Sequence, residues 1–236
     1  MSAPRGVIVA GGTGALGRAI VEALLAGGAR VAVPYTHAAG WDELRGALGK
    51  DASIFGAKAD LGDLAATRAF VDEAVAFLGV LDGVAIASGA WSGGTTLEGA
   101  PADEWDRMMR TNLATVHAVC RAALPHLLKQ GGSVVTVGSK AAETGGSGAA
   151  AYAVSKAAVH ALTRVLALEN RERGVRFNCV LPLTIDTPAN RKAMPDADHA
   201  KWTSPAAIAA VIAFLLSPAS APITGALVPV DRPDHS

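Results

Sequence analysis

The sequence has few aromatic residues, two cysteines and no excess charge of either sign. Aromatic side chains make up 5% of its 236 residues, and 21 basic residues balance 21 acidic ones. No basic or acidic block occurs, so we predict neither nucleic acid nor a membrane surface as a partner. Because its apolar runs are short and interrupted, no membrane-spanning helix is predicted.

The two cysteines, Cys120 and Cys179, do not stand at a spacing typical of metal ligands, and no metal site is predicted. We interpret them as reduced thiols in the core of a cytoplasmic protein. The first residues show no signal-peptide pattern and lead directly into an apolar segment.

Half of the residues are apolar, which is enough for a sizeable core in one domain over 1–236. Short apolar segments alternate with helical patterns. This alternation predicts an α/β fold of Rossmann type, with a doubly wound, mostly parallel seven-stranded sheet and helices on both faces. The predicted strands are 6–10, 30–35, 53–58, 84–87, 134–137, 175–181 and 226–230.

Helical patterns follow the strands. Asp63 and Ser204 are expected to cap helix N-termini, Pro101 to occupy a first helical position, and Gly174 to end a helix. The segment 182–204 is polar and irregular, which predicts a functional loop such as a lid. The predicted helices are 18–26, 63–78, 101–129, 150–173 and 205–216.

The first strand runs directly into the sequence GGTGALG, residues 11–17, and then into a helix. Glycines at such a turn allow the backbone to approach a pyrophosphate, and the helix N-terminus favours its negative charge. The order of strand, glycine-rich turn and helix predicts a dinucleotide site, although a tight turn alone would explain the glycines.

The second strand ends in Tyr35, Thr36 and His37. An acidic residue here would bind the adenosine ribose and indicate NAD. Since no carboxylate is present to repel a 2′-phosphate, NADP is the preferred prediction, with NAD as the alternative. Arg18, Thr36 and His37 are candidates to bind that phosphate, or are simply solvated.

Tyr152 and Lys156 lie four residues apart in a predicted helix and therefore share one of its faces. A phenol is a weak acid near neutral pH, and a cation beside it is expected to lower its pKa. The tyrosine can then exchange a proton with a carbonyl or alcohol oxygen. Ser139 follows a buried strand, where open α/β folds place ligand chemistry.

Asn112 and Trp91 allow more than one interpretation. By pattern alone, Asn112 in a predicted helix points to solvent or bonds the backbone. Trp91 lies in a stretch of small residues after the fourth strand and forms either a pocket wall or a packed surface aromatic.

In this order, these motifs resemble the short-chain dehydrogenase/reductases over nearly the whole chain. The resemblance implies that Tyr152 is the general acid/base and that Lys156 lowers its pKa and holds the nicotinamide ribose. It further implies that Ser139 orients the substrate oxygen and that Asn112 holds a water in the proton relay.

The resemblance also implies the cofactor contacts. The glycine-rich turn would flank the pyrophosphate, Asp60 and Leu61 would border the adenine, and Thr187 would contact the nicotinamide amide. The full predicted set is Gly11, Thr13, Gly14, Ala15, Leu16, Gly17, Tyr35, Thr36, His37, Asp60, Leu61, Ser88, Gly89, Tyr152, Lys156, Pro182, Thr184 and Thr187.

The loop LPLTIDTPANRKAMPDAD, residues 181–198, is similar to the substrate-side loop of the quinonoid dihydropteridine reductases. That likeness implies a pocket for a pterin or another flat ring. Ser139 and Asn112 instead match the carbonyl-reducing relatives, so a ketone or alcohol is the first prediction and a quinonoid pterin the alternative. The predicted substrate contacts are Trp91, Ser139, Leu183, Asn190 and Met194.

Two other classes of protein compete with an enzyme. A dinucleotide-sensing binding protein would keep the fold, but such sensors tend to lose the tyrosine or the lysine. A structural protein would not need the glycine-rich turn. The resemblance also implies a homodimer or homotetramer, formed through the helices at 101–129 and 150–173.

Overall fold

Seven apolar segments form the strands of one parallel sheet, with the order β3-β2-β1-β4-β5-β6-β7. The computed structural model describes residues 6–50, 52–145 and 147–231. The prediction of a mostly parallel doubly wound sheet is confirmed. The strands are β1 Gly6–Ala10, β2 Arg30–Tyr35, β3 Ile54–Lys58, β4 Gly83–Ile86, β5 Gly132–Val137, β6 Val175–Pro182 and β7 Leu227–Val230.

Helices cover both faces of the sheet, each over its own apolar cluster. One cluster joins the sheet to α3, α5 and α7, and the other joins it to α1, α2 and α9. Parallel strands are buried on both faces by such crossovers. The helices are α1 Ala15–Ala26, α2 Ala38–Ala47, α3 Leu64–Leu78, α4 Glu104–Met108, α5 Thr115–Leu127, α6 Ala141–Thr144, α7 Ala150–Asn170, α8 Pro188–Ala193 and α9 Pro205–Leu216.

The predicted helix ends are largely confirmed. The Asp63 carboxylate accepts hydrogen bonds from the backbone N–H groups of Ala65 and Ala66, and the Ser204 hydroxyl accepts one from Ala207. Gly174 ends the α7 segment in a left-handed conformation, after a short 3-10 turn.

The helix predicted over 101–129 is wrong in two respects. It begins at Glu104, which leaves Pro101 outside, and residues Met109–Ala114 form a π-helical turn between α4 and α5. A π turn adds a residue to the helical repeat and often marks a functional position. The turn contains Asn112, which is fully buried rather than pointing to solvent.

The segment 182–204 was predicted to be irregular, but it contains α8 and a 3-10 turn at His199–Lys201. A β-bridge between Ile185 and Thr203 ties its two ends together. Both ion-pair contacts of Arg191 with Asp186, at 2.6 and 2.8 Å, also lie within it. Local hydrogen bonds therefore order part of this segment, and its role as a lid stays a prediction. The short helices α2 and α6 were not predicted either.

Cys120 and Cys179 are free and buried, as predicted, and burial raises their thiol pKa values to about 12 and about 11. Within 6–50, 52–145 and 147–231, no helix combines the length and apolarity needed to cross a membrane.

The cap at the start of α3 gives a direct stability test. Asp63→Ala removes the acceptor for the Ala65 and Ala66 N–H groups, so the free energy of unfolding should fall by about 1 kcal/mol. Asp63→Ser keeps an acceptor and should change it by only about 0.3 kcal/mol. Urea unfolding at neutral pH measures both, and an equal loss in the two variants would contradict a capping role.

Candidate active site

The glycine-rich turn joins β1 to α1 by close backbone contacts. Gly11 has φ +81°, and a Cβ added there would lie 2.7 Å from the Ser88 nitrogen. A Cβ at Gly17 would lie 1.9 Å from the Gly11 carbonyl oxygen. Gly14 is the N-cap of α1, and no side chain caps this helix. The first N–H groups of α1 are therefore free to bind an anion.

A cleft of about 400 Å³ opens at the carboxyl ends of β1, β2 and β4. Ligands of open α/β folds bind at this edge. The predicted cofactor residues that line it are Gly11, Thr13, Gly14, Tyr35, Thr36, Asp60, Leu61, Ser88 and Gly89. Its other lining residues, which were not predicted, are Pro34, Ala59, Gly62, Ala87, Arg110, Thr111 and Thr115.

Tyr35 forms the wall of this cleft at the end of β2. Its ring stacks on Trp41 of α2, with ring centres 5.6 Å apart and planes 9° apart. Thr36 and His37 are exposed, and Thr36 lines the cleft whereas His37 does not. No carboxylate follows the strand within these residues.

Arg18, a predicted candidate for the 2′-phosphate, is held by other groups. Its guanidinium lies 2.6 Å from a Glu43 carboxylate oxygen and donates to the Thr13 carbonyl at 3.0 Å. Glu43 therefore competes with any ligand phosphate for Arg18. Arg110 is an exposed cation of the cleft lining, beside Gly62. The signal that the sequence offered for it was its position two residues before Asn112.

Asn112 joins three segments through its buried carboxamide. Its oxygen accepts from the Ala90 N–H at 2.8 Å, and its nitrogen donates to the Ala90 carbonyl at 3.0 Å and to the Ser155 hydroxyl at 2.9 Å. Ser155 in turn donates to the Tyr152 carbonyl at 2.7 Å. Asn112 thus fixes the loop after β4 against the second turn of α7. Its predicted contact with a water stays a prediction.

Ser139, Tyr152 and Lys156 meet where β5 ends beside α7. Lys156 is buried and its ammonium donates to the Val137 carbonyl at 2.8 Å. Burial, which disfavours the charged form, lowers its pKa to about 8. A Cβ at Gly89 would lie 3.1 Å from the Lys156 nitrogen, so the loop after β4 links the cleft to this lysine.

The pKa of Tyr152 differs from expectation. Burial raises it above its ordinary value, and a hydrogen bond from Ser139 acts in the opposite direction. The structure shows no lowering of this pKa by Lys156, whose ammonium donates to the Val137 carbonyl. In the structure the phenol therefore keeps its proton at neutral pH.

His160 is a further polar residue of the site that was not predicted. Its Nε2 accepts a hydrogen bond from the backbone N–H of Ser139 at 3.2 Å, and its side chain is buried. The available signal was its position four residues after Lys156, on the same face of α7.

The structure shows the surroundings of the predicted substrate residues, whose contact with a substrate stays a prediction. Trp91, Leu183 and Met194 are exposed apolar side chains, with 66%, 58% and 41% of their surface accessible. Asn190 instead donates to the Ile185 carbonyl at 2.8 Å. Thr187 caps α8 by accepting from the Asn190 N–H. Pro182 ends β6, and the carbonyl of Thr184 accepts from Thr203.

The arrangement fits a dinucleotide. The cleft and the uncapped α1 suit an adenosine and a pyrophosphate, and Gly89 leads from the cleft to Lys156. Ala15, Leu16 and Gly17 form the first turn of α1, at its anion-binding end. A molecule with one end at Tyr35 and the other at Lys156 would span both parts.

Comparison with known proteins identifies the family. The sequence profile described as Enoyl-(Acyl carrier protein) reductase matches residues 11–232. A short-chain type dehydrogenase/reductase from Mycobacterium ulcerans has a similar structure, with a TM-score of 0.90 at 26% identity over 98% of this chain and 90% of that one. For levodione reductase the TM-score is 0.88 at 29% identity, over 96% of both chains. The chain belongs to the short-chain dehydrogenase/reductase family.

Related sequences carry dehydrogenase names. The 4-formylbenzenesulfonate dehydrogenase of Comamonas testosteroni is 36% identical over 95% of both chains. D-threitol dehydrogenase of Mycolicibacterium smegmatis is 32% identical over 95% of this chain and 90% of its own. Meso-2,3-butanediol dehydrogenase of Serratia marcescens is 31% identical over 95% and 92%. These relatives support NAD(P)-dependent oxidoreduction as the class of reaction.

The lowered pKa of Lys156 has a measurable consequence for stability. Between about pH 8, its folded pKa, and 10.5, its ordinary value, the unfolded chain binds more protons at this residue than the folded chain does. Stability contributed by Lys156 therefore rises with pH in this window. The free energy of unfolding of the wild type minus that of Lys156→Met should increase from pH 8 to pH 10 in the cofactor-free protein.

The subtraction removes the other titrating groups, which the two proteins share. Urea unfolding at several pH values measures the difference, and circular dichroism checks that both proteins are folded. A difference that stays flat across the window would contradict a buried lysine with a lowered pKa.

Proposed function

We propose that this protein is an NADP-dependent reductase of ketones, or a dehydrogenase of the corresponding alcohols, with Tyr152 as the acid/base. The observation that carries the proposal is the meeting of the Ser139 hydroxyl and the Tyr152 phenol beside buried Lys156 at the carboxyl edge of the sheet. Two hydroxyl groups that interact in this way can also share the oxygen of a substrate between them.

Each residue has a distinct task in this reaction. The chemistry supplied by a bound nicotinamide is hydride transfer. Ser139 donates a hydrogen bond to the substrate carbonyl and orients it. Tyr152 gives its proton to the oxygen as that oxygen becomes an alkoxide, which is a stronger base than a phenolate. Lys156 holds the ribose next to the substrate and places positive charge near the phenol.

The raised pKa of Tyr152 favours reduction near neutral pH. A protonated phenol is ready to donate, whereas oxidation of an alcohol needs the phenolate as proton acceptor. Oxidation should therefore speed up as the pH rises towards the pKa of Tyr152, while reduction slows. Asn112 supports both directions by holding α7 against the loop after β4.

NADP is the proposed cofactor because no carboxylate follows Tyr35 at the end of β2, and Asp60, the carboxylate among the lining residues, follows β3 instead. A carboxylate at this place would bind a ribose diol and repel a 2′-phosphate. Thr13 and Thr36 supply hydroxyl groups to the same cleft, and Arg110 supplies a positive charge. The acidic Glu43 nearby is neutralised by Arg18 at 2.6 Å.

The exposed apolar residues of the long helices support a homodimer or homotetramer. Val154, Val165 and Leu168 lie on α7, and Trp105 lies on α4, with 45% or more of each side chain accessible. A helix that is apolar on its outer face is suited to pair with a second helix. We propose that this face joins two copies of the chain.

Tyr152→Phe tests the acid/base role. Loss of the hydroxyl should lower kcat by about 100- to 10,000-fold and leave the dissociation constant of NADPH nearly unchanged, since the ring remains. Tyr35→Phe makes the same change at the tyrosine of the cofactor cleft and should lower kcat far less than Tyr152→Phe does. Wild-type turnover in Tyr152→Phe would contradict the assignment, and cofactor fluorescence titration verifies binding.

Tyr35→Asp tests the cofactor preference. A carboxylate here should lower the ratio of kcat/KM for NADPH to that for NADH by at least about tenfold, or about 1.4 kcal/mol. Tyr35→Asn has the same size without the charge, and it also loses the stacking on Trp41. If both variants change the ratio equally, repulsion of a 2′-phosphate is not the cause.

Initial rates against a small panel test the proposed substrate class. β-Keto esters, cyclic ketones and a quinonoid dihydropterin are each assayed with NADPH and with NADH, and small diols with the oxidised cofactors. Ketone turnover without pterin turnover supports the proposal. Fast pterin turnover would instead assign the function to the 182–204 segment, and cofactor binding without any turnover would favour a dinucleotide sensor.

A further inference from the structure

Beyond the end of β4, the backbone of β5 loses its neighbouring strand on one side. The pairing of β4 with β5 ends at Ile86 and Thr136. On the other side, Gly138 still donates to Val180 at 2.9 Å and Lys140 to Pro182 at 3.0 Å. Because successive residues of a strand point to opposite sides, the N–H of Ser139 faces the side where β4 has ended. Buried there, it requires an acceptor.

Side chains of α7 take the place of the missing strand. The Lys156 ammonium donates to the Val137 carbonyl at 2.8 Å, and the His160 Nε2 accepts from the Ser139 N–H at 3.2 Å. Tyr152, Lys156 and His160 are four residues apart in turn and share one helical face. The same face therefore carries the phenol and holds the backbone of the serine that bonds it.

Gly138 makes this contact possible. A Cβ added at Gly138 would lie 2.3 Å from the His160 Nε2 and 2.7 Å from a Leu181 methyl group. Only a glycine lets the imidazole lie so close to the end of β5. The His160 ring thus packs against the backbone of Gly138, the residue directly before Ser139.

The hydrogen bond requires a neutral imidazole. To accept at Nε2, His160 must carry its proton at Nδ1, since a protonated ring has no acceptor. Burial lowers the pKa of His160, and the positive charges of Lys156 and Arg164 lower it further, while Glu143 on α6 raises it. From β5 and β6, the ring is faced by the uncharged Gly138 and Leu181.

We propose that His160 is the positioning residue for Ser139. Its neutral imidazole holds the backbone N–H of Ser139 and thereby fixes the Ser139 hydroxyl against Tyr152. Protonation turns the acceptor into a donor, and Ser139 is released. The expected kinetic effect rests on the proposed carbonyl chemistry. The hydrogen bond between His160 and Ser139 does not depend on that chemistry.

Two variants separate the acceptor from the shape of the side chain. His160→Gln places an amide oxygen at a similar reach and does not titrate, whereas His160→Leu keeps the bulk and has no acceptor. With a ketone that the wild type reduces, His160→Leu should lose about 10- to 100-fold in kcat at every pH, with the dissociation constant of NADPH unchanged. His160→Gln should recover most of kcat.

The pH profile tests the positioning role. In the wild type, kcat should fall on acidification below the ordinary histidine pKa of about 6.5, and His160→Gln should lack this fall. The same acid fall in both proteins would overturn the proposal, as would wild-type kcat in His160→Leu. If His160→Leu does not fold, the comparison of kcat against pH between the wild type and His160→Gln still tests the positioning role.

Hydrogen exchange of the Ser139 amide tests the hydrogen bond without any turnover. The amide should be protected near neutral pH in the wild type and in His160→Gln, and unprotected in His160→Leu. On acidification its protection should fall relative to neighbouring amides in the wild type only. A protected Ser139 amide in a protein without ketone activity would support the hydrogen bond to His160 and reject the carbonyl function. Equal protection of this amide in all three proteins would reject the hydrogen bond.

Discussion

The buried carboxamide of Asn112 holds together the segments that carry the site. It bonds both backbone groups of Ala90 after β4 and the hydroxyl of Ser155 on α7. A carboxamide can donate and accept at once, which a carboxylate or a hydrocarbon of the same size cannot do. The π turn at Met109–Ala114 contains this side chain between α4 and α5. Without it, the loop after β4 would lose both hydrogen bonds of Ala90 that tie it to the π turn.

The end of β5 shows how one helix completes a sheet. Parallel strands that stop at different lengths leave backbone groups without partners at the edge where ligands bind. Here Lys156 and His160 from α7 bond the groups of Val137 and Ser139 beyond the last residues paired with β4. The lysine proposed to act on the cofactor therefore also supports the backbone. Chemistry and folding use the same side chains at this position.

Near the glycine-rich turn, a positive and a negative side chain form an ion pair. Arg18 is bound to Glu43, so neither the positive nor the negative charge acts alone next to the glycine-rich turn. Tyr35 is fixed by its stacking on Trp41 and forms a neutral wall of the cleft. In the proposed NADP site, a phosphorylated ribose would meet hydroxyl groups and Arg110 rather than a dedicated arginine after β2. The carboxylate of the cleft, Asp60, follows β3 and not β2, where a carboxylate would select NADH.

Local sequence patterns determined the strands, most helix ends, the glycine-rich turn and the spacing of Tyr152 and Lys156, because each depends on neighbours within a few residues. The tertiary structure alone decided how polar side chains are used. Asn112 looked unremarkable in a helical pattern, and only packing against Ala90 and Ser155 gives it its partners. His160 became part of the site because β4 ends early, which no local pattern encodes. The raised pKa of Tyr152 likewise follows from burial, which is a property of the folded chain.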